Sequence, residues 1–97
     1  METKWLPCSV SYGQFPNEYA VAGTQYNEKG FSLFAPKETV SAPNSGEGEG
    51  LIEVEVVDRR GELALVRLPA QTFENGQHVT VNATTLQSSP TLQKVGA

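Results

Sequence analysis

The chain has almost none of the residues from which catalytic and metal sites are usually built. Its 97 residues include one cysteine, Cys8, and one histidine, His78. A single cysteine excludes an intramolecular disulfide and a thiolate-rich metal site within one chain. A general base must reach a nucleophile, whereas the strand pattern places His78 on the solvent side. We therefore expect no enzymatic activity and no cofactor.

Basic residues are also few, and they do not form a cluster. Seven Lys and Arg are set against eleven Asp and Glu, which gives a formal net charge of −4. Tight binding to a phosphate backbone depends mainly on clustered Lys and Arg, and only Arg59 and Arg60 are adjacent here. The acidic balance disfavours a nucleic-acid partner but leaves one open.

Long apolar runs are missing as well. No run approaches the length that a membrane-spanning helix requires, and residues 1–7 are too short and too polar for the apolar part of a signal peptide. A single cysteine also fits a reducing compartment. These features predict a cytoplasmic protein without a membrane partner.

Carboxylates are dense between residues 47 and 58, but they lack the ligand offsets of a calcium loop. We expect a solvated acidic loop and strand face there, and no metal site.

What the sequence does contain is apolar alternation with a period of two, which is typical of half-buried β-strands. It assigns Leu6, Cys8 and Val10 to one buried face. Turn-forming Gly, Pro and Asn separate the strands from one another. The predicted strands cover residues 5–12, 18–25, 31–35, 51–58, 62–68 and 77–82.

This pattern predicts an all-β fold, a small antiparallel barrel of five or six strands, because closure removes the exposed edges of a small sheet. The segment 73–81, with glycine before alternating valines, resembles a segment of SH3-like barrels, so an SH3-like or OB-like barrel is expected. The Gly/Glu run at 44–50 is predicted to be a flexible loop. The barrel domain is expected to span residues 1–87, followed by a disordered tail at 88–97.

Aromatic side chains carry the main functional signal, because small barrels use exposed aromatics beside their loops to bind peptides or unstacked bases. The first hypothesis is a non-catalytic protein-interaction module with an accessory or regulatory role. Its docking surface would be formed by Trp5, Phe15, Tyr19 and Tyr26. The alternative is a nucleic-acid-binding barrel whose phosphate contacts would be Lys29, Arg59 and Arg60.

Self-association is compatible with either hypothesis. Leu51, Val57 and Leu63 fall outside the main apolar faces, so they are expected to form a shared patch that could support a homodimer.

Overall fold

A computed structural model describes residues 2–74 and 76–91, and these form one antiparallel β-sheet. The order across the sheet is β3-β2-β1-β5-β6-β7, and β4 pairs with the first half of β5. The predicted all-β, barrel-like fold is confirmed, with seven strands among the described residues in place of the five or six predicted. The strands are β1 (Glu2–Tyr12), β2 (Glu18–Thr24), β3 (Gly30–Pro36), β4 (Val40–Ser41), β5 (Gly48–Arg60), β6 (Leu63–Arg67) and β7 (His78–Asn82), with 3-10 turns at Lys37–Thr39 and Ala83–Thr85.

The sheet curls until loop residues cover both of its outer strands. On β7, the Thr80 carbonyl accepts a hydrogen bond of 3.0 Å from the Tyr26 backbone N–H. On β3, the Ser32 carbonyl accepts one of 2.8 Å from the Phe73 backbone N–H, and the Ser32 N–H donates to the Glu74 carboxylate at 2.8 Å. The central residue of each outer strand is therefore engaged within the chain, which reduces the free edge that an open sheet would leave.

The core fills the concave side of this curl. Alternate residues of each long strand point into it, so that Leu33, Ile52 and Val66 are 0% exposed. The alternation predicted for β1, β5 and β7 is confirmed, and Cys8 belongs to the core cluster as expected. On β6, Ala64 and Val66 of the inner face are buried, whereas Leu63 and Leu65 on the outer face are half-buried.

Pro7 interrupts the hydrogen bonding along one edge of β1, the edge that faces away from β5. Backbone groups two residues apart on a strand face the same edge, so Pro7 shares its edge with Trp5, whose N–H and C=O each bond Gln87 at 2.8 Å. Proline has no N–H to give to a ladder. The β1–β2 pairing accordingly includes only residues 9–12 of β1, and Gln87 replaces β2 beside Trp5.

A β-bulge at Val57 changes which way the end of β5 points. Val56 pairs with Val66 and Asp58 pairs with Leu65, so Val57 is the extra residue. One extra residue exchanges the two faces of the strand beyond it. Asp58 therefore shares the outer face with Leu65. Arg59 lies on the inner face, where it pairs with the Glu2 carboxylate of the neighbouring strand β1 at 3.0 Å.

The segment after the second 3-10 turn is held against β1 and β4. The Lys4 ammonium donates to the Ser88 hydroxyl at 2.9 Å, and the Ser41 hydroxyl donates to the Pro90 carbonyl at 2.6 Å. Leu51 lies on β5 between those two strands and is 2% exposed, although it is outside the main core cluster. We infer that residues 87–90 cover it. Residues 92–97 of the predicted tail lie outside the described residues, and the boundary at 87 stays a prediction.

The loop predicted for the Gly/Glu run at residues 44–50 is shorter in the structure. Gly48, Glu49 and Gly50 belong to β5 and pair with β1. A ladder needs only main-chain groups, so the absence of apolar side chains did not prevent the pairing. For the same reason β1 begins at Glu2 and not at Trp5.

Candidate functional site

Exposed aromatic side chains gather at one end of the barrel, where β1 turns into β2. Tyr12 and Tyr19 are register partners, so their side chains leave the same face of the sheet. Phe15 lies in the connection between them. We call the surface made by Tyr12, Phe15 and Tyr19 the aromatic end. Tyr12 and Phe15 are each 62% exposed, and Tyr19 is half-buried.

Tyr12 holds the Gly/Glu loop against the barrel. Its hydroxyl donates to the Ser45 carbonyl at 2.9 Å. The ring lies so close to Gly46 that a Cβ there would be 2.7 Å from the Tyr12 hydroxyl oxygen, and Gly46 has a φ of 83°. Glycine at this position therefore allows the loop both its left-handed turn and its contact with the ring.

Tyr19 packs against the core on one side and carries a cation on the other. The Lys37 ammonium lies 5.1 Å from the centre of the Tyr19 ring. The backbone fixes this arrangement, because the Lys37 N–H donates to the Asn17 carbonyl at 3.0 Å. The aromatic end thus already holds one cation–π contact.

Phe15 differs from the two tyrosines because only its backbone contributes to the fold. Its carbonyl accepts a bond of 3.3 Å from the Glu18 N–H, which closes the turn. Its ring is 62% exposed. A ring of this size held in a tight turn loses little conformational entropy when it is buried in an interface.

The aromatic end is also the acidic part of the molecule. Between residues 12–19 and 36–49 there are four carboxylates and one lysine, a net charge of −3. Among the described residues, Glu38, Glu47 and Glu49 take part in no ion pair. Most of the chain's net negative charge therefore lies in the segments that form this end.

The other two predicted anchors lie elsewhere. Trp5 is half-buried on the outer face of β1, seven residues from Tyr12, or about 23 Å along an extended strand. It is engaged by Gln87. Tyr26 is 48% exposed in the β2–β3 turn at the opposite end of the barrel. The structure thus brings Phe15 and Tyr19 together but separates both from Trp5 and Tyr26.

The predicted phosphate contacts lie at that opposite end, which we call the arginine end. Arg59 pairs with Glu2, and Arg60 pairs with Asp58 at 3.2 Å. Lys29 lies in the turn that also holds Tyr26 and is exposed. The charged residues of this end balance to zero, with four of each sign: Glu2, Lys4, Glu28, Lys29, Asp58, Arg59, Arg60 and Glu62.

Among the concave surfaces on the outer faces of the sheet, two are mainly apolar. One, of about 250 Å³, has Leu63 and Leu65 as its floor and is rimmed by the Asp58–Arg60 pair. The other, of about 180 Å³, runs over small side chains of β1 and β2 to the exposed ring of Phe73, which meets Phe34 edge-on at 5.1 Å.

The groups with chemical reactivity are not assembled into a site. Burial, with a smaller contribution from the Glu49 carboxylate, raises the pKa of the Cys8 thiol to about 12. His78 is exposed on the outer face, as predicted. In the part of the chain that the structure describes, there is no group of three or more His, Cys, Asp or Glu placed to hold a metal ion.

Tyr12 is the functional candidate that sequence reasoning missed. Tyr12 lies on the same face of β1 as the buried Val10. Tyr12 is exposed because the strand ends there, at the mouth of the barrel. Its position directly before the turn at Gly13 was the available signal. Of the three residues expected to form a homodimer patch, Leu51 is buried within the chain, whereas Val57 is 42% exposed and Leu63 is half-buried; self-association stays a prediction.

Comparison with other proteins adds no assignment: no family model, curated protein or solved structure matches the chain. The described residues form no helix with the length and apolarity needed to cross a bilayer.

Proposed function

We propose that this chain is a non-catalytic protein-interaction module, an SH3-like or OB-like barrel that acts as an accessory or regulatory protein and docks its partner at the aromatic end. The observation that carries the proposal is the pair of rings, Tyr12 and Phe15, each 62% exposed beside Tyr19. Large rings placed on a rigid scaffold dominate the energetics of many interfaces. A cytoplasmic location, which fits the single buried Cys8, is part of the same proposal.

The nucleic-acid alternative receives less support from the charges. At the arginine end, Arg59 and Arg60 are each paired with a carboxylate, and that end carries no net charge. A phosphate backbone would have to compete with Glu2 and Asp58 for those guanidinium groups. Tyr26 and Lys29 would remain available for a base and a phosphate.

Photo-crosslinking from the two ends separates these functions. A photoreactive phenylalanine analogue is placed at Phe15 in one variant and at Tyr26 in a matched control, and both are irradiated in the source cells. We expect protein adducts from position 15 that survive nuclease and are absent from position 26. The partner identified in this way should then bind the purified wild-type chain and Tyr26→Ala, and should bind Phe15→Ala at least tenfold more weakly, about 1.4 kcal/mol.

Either of two results would overturn the proposal. One is nuclease-sensitive adducts from position 26 alone, which would assign the chain to the nucleic-acid class. The other is a partner whose affinity is unchanged by Phe15→Ala, provided that the variant melts at the wild-type temperature.

A further inference from the structure

We propose that the partner segment received by the aromatic end is basic, a stretch of another protein that places Arg or Lys side chains against Tyr12 and Phe15. This inference rests on the proposed function and specifies the chemistry of the partner. Three observations carry it: the distribution of charge, the unpaired state of the carboxylates, and the cation–π contact already present.

The charge distribution predicts that the partner segment is positively charged. The segments that form the aromatic end carry a net charge of −3, whereas the arginine end is neutral. Complementary potentials steer encounter, and like charges brought together at an interface oppose wrong partners. An acidic segment docking on these rings would meet four carboxylates and the single lysine.

The carboxylates at this end remain available for a partner. Glu18 accepts a hydrogen bond of 3.1 Å from the Gln14 N–H, and Glu38, Glu47 and Glu49 form no ion pair with any described residue. At the arginine end, by contrast, Glu2 and Asp58 are held by the chain's own arginines. Glu47 lies two residues after Ser45, whose carbonyl is bonded by Tyr12, so its carboxylate can accept from a guanidinium placed at that ring.

The chain itself shows how a cation sits on these rings. The Lys37 ammonium lies 5.1 Å from the centre of the Tyr19 ring. Tyr12 leaves the same face as Tyr19 and is more exposed, so its ring can take a second cation supplied from outside. Guanidinium also stacks on aromatic faces and is more weakly hydrated than ammonium, so we expect Arg to be preferred over Lys.

The test is a peptide phage display on the purified chain, followed by affinity measurements on the selected synthetic peptides. Two double variants make the same change in net charge at opposite ends: Glu38→Gln/Glu47→Gln at the aromatic end and Glu28→Gln/Glu62→Gln at the arginine end. We expect the selected peptides to carry net positive charge. Their affinity should fall about fivefold with the first variant and less than about twofold with the second.

Salt and Phe15→Ala complete the experiment. Raising the salt concentration should weaken binding of the peptides, because the pairs are exposed to solvent. Peptides that need Phe15 but are neutral or acidic, or that respond equally to both double variants, would overturn the basic-segment inference and leave the proposed function standing. If no selected peptide depends on Phe15 in a variant that melts like the wild type, the proposed function fails as well.

Discussion

Gly50 offers a severe test of how closely β4 approaches β5. A Cβ at this position would lie 2.6 Å from the Ser41 carbonyl oxygen and 2.7 Å from a methyl group of Val10. Neither neighbour can move easily, since one is backbone and the other is 3% exposed in the core. Overpacking of this kind costs about 1–3 kcal/mol, and the entropy that alanine removes from the unfolded chain offsets about 0.4–1 kcal/mol.

Because both contacts are rigid, we expect Gly50→Ala to lower the free energy of unfolding by about 2 kcal/mol. An unfolding entropy of about 0.2 kcal/mol/K for a chain of this length converts this into a Tm lower by about 10 °C, measured by circular dichroism or calorimetry. Gly30→Ala is the matched control, since a Cβ there has its nearest neighbour at 3.8 Å. Equal melting temperatures for the two variants would refute the close approach of Ser41 to Gly50.

Two further predictions concern titratable groups. Burial raises the pKa of the Cys8 thiol to about 12, from 9.0 in an exposed cysteine. Because only the thiolate reacts, a disulfide reagent near pH 8 should label the native thiol about a thousandfold more slowly than the unfolded chain. Comparable labelling rates would contradict the burial of Cys8. Because the folded chain keeps this proton while the unfolded chain loses it above pH 9, stability should also fall as pH rises from 9, and Cys8→Ala should remove that component. Glu74 accepts hydrogen bonds from the Ser32 N–H and hydroxyl, both at 2.8 Å, which lower its pKa below 4.5. The contribution of Glu74 to the free energy of unfolding is present above pH 4.5 and is lost on acidification. Glu74→Gln should therefore reduce the loss of stability that acid causes. An unchanged dependence of stability on pH would contradict the contact between Glu74 and Ser32.

The sequence predicted the strands well because burial on one face imposes a period of two. The faces of Leu6, Cys8 and Ile52 follow from that period alone, and the structure confirms them. It predicted the ends of strands poorly, since pairing uses main-chain groups that every residue except proline possesses. Gly48 and Gly50 therefore extend β5 without any apolar signal.

The candidate site was predicted only in part, because it depends on which strand ends meet. Phe15 and Tyr19 are close in sequence and are close in space. Trp5 and Tyr26 were grouped with them by residue type, yet the register places Trp5 on another face and Tyr26 at another end. No pattern in the sequence predicts the bulge at Val57. This bulge places Arg59 on the inner face of β5, where it pairs with Glu2.

The junction of Trp5 with Gln87 has a consequence for how the protein is made in the cell. The first strand emerges from the ribosome early, but the residue that pairs with its outer edge follows 82 positions later. Joining ends so far apart in an unfolded chain costs roughly 4 kcal/mol in loop-closure entropy, so this contact is favoured once the strands between them have paired. Until Gln87 has been synthesised, a nascent chain exposes the main-chain groups of Trp5 as an open edge.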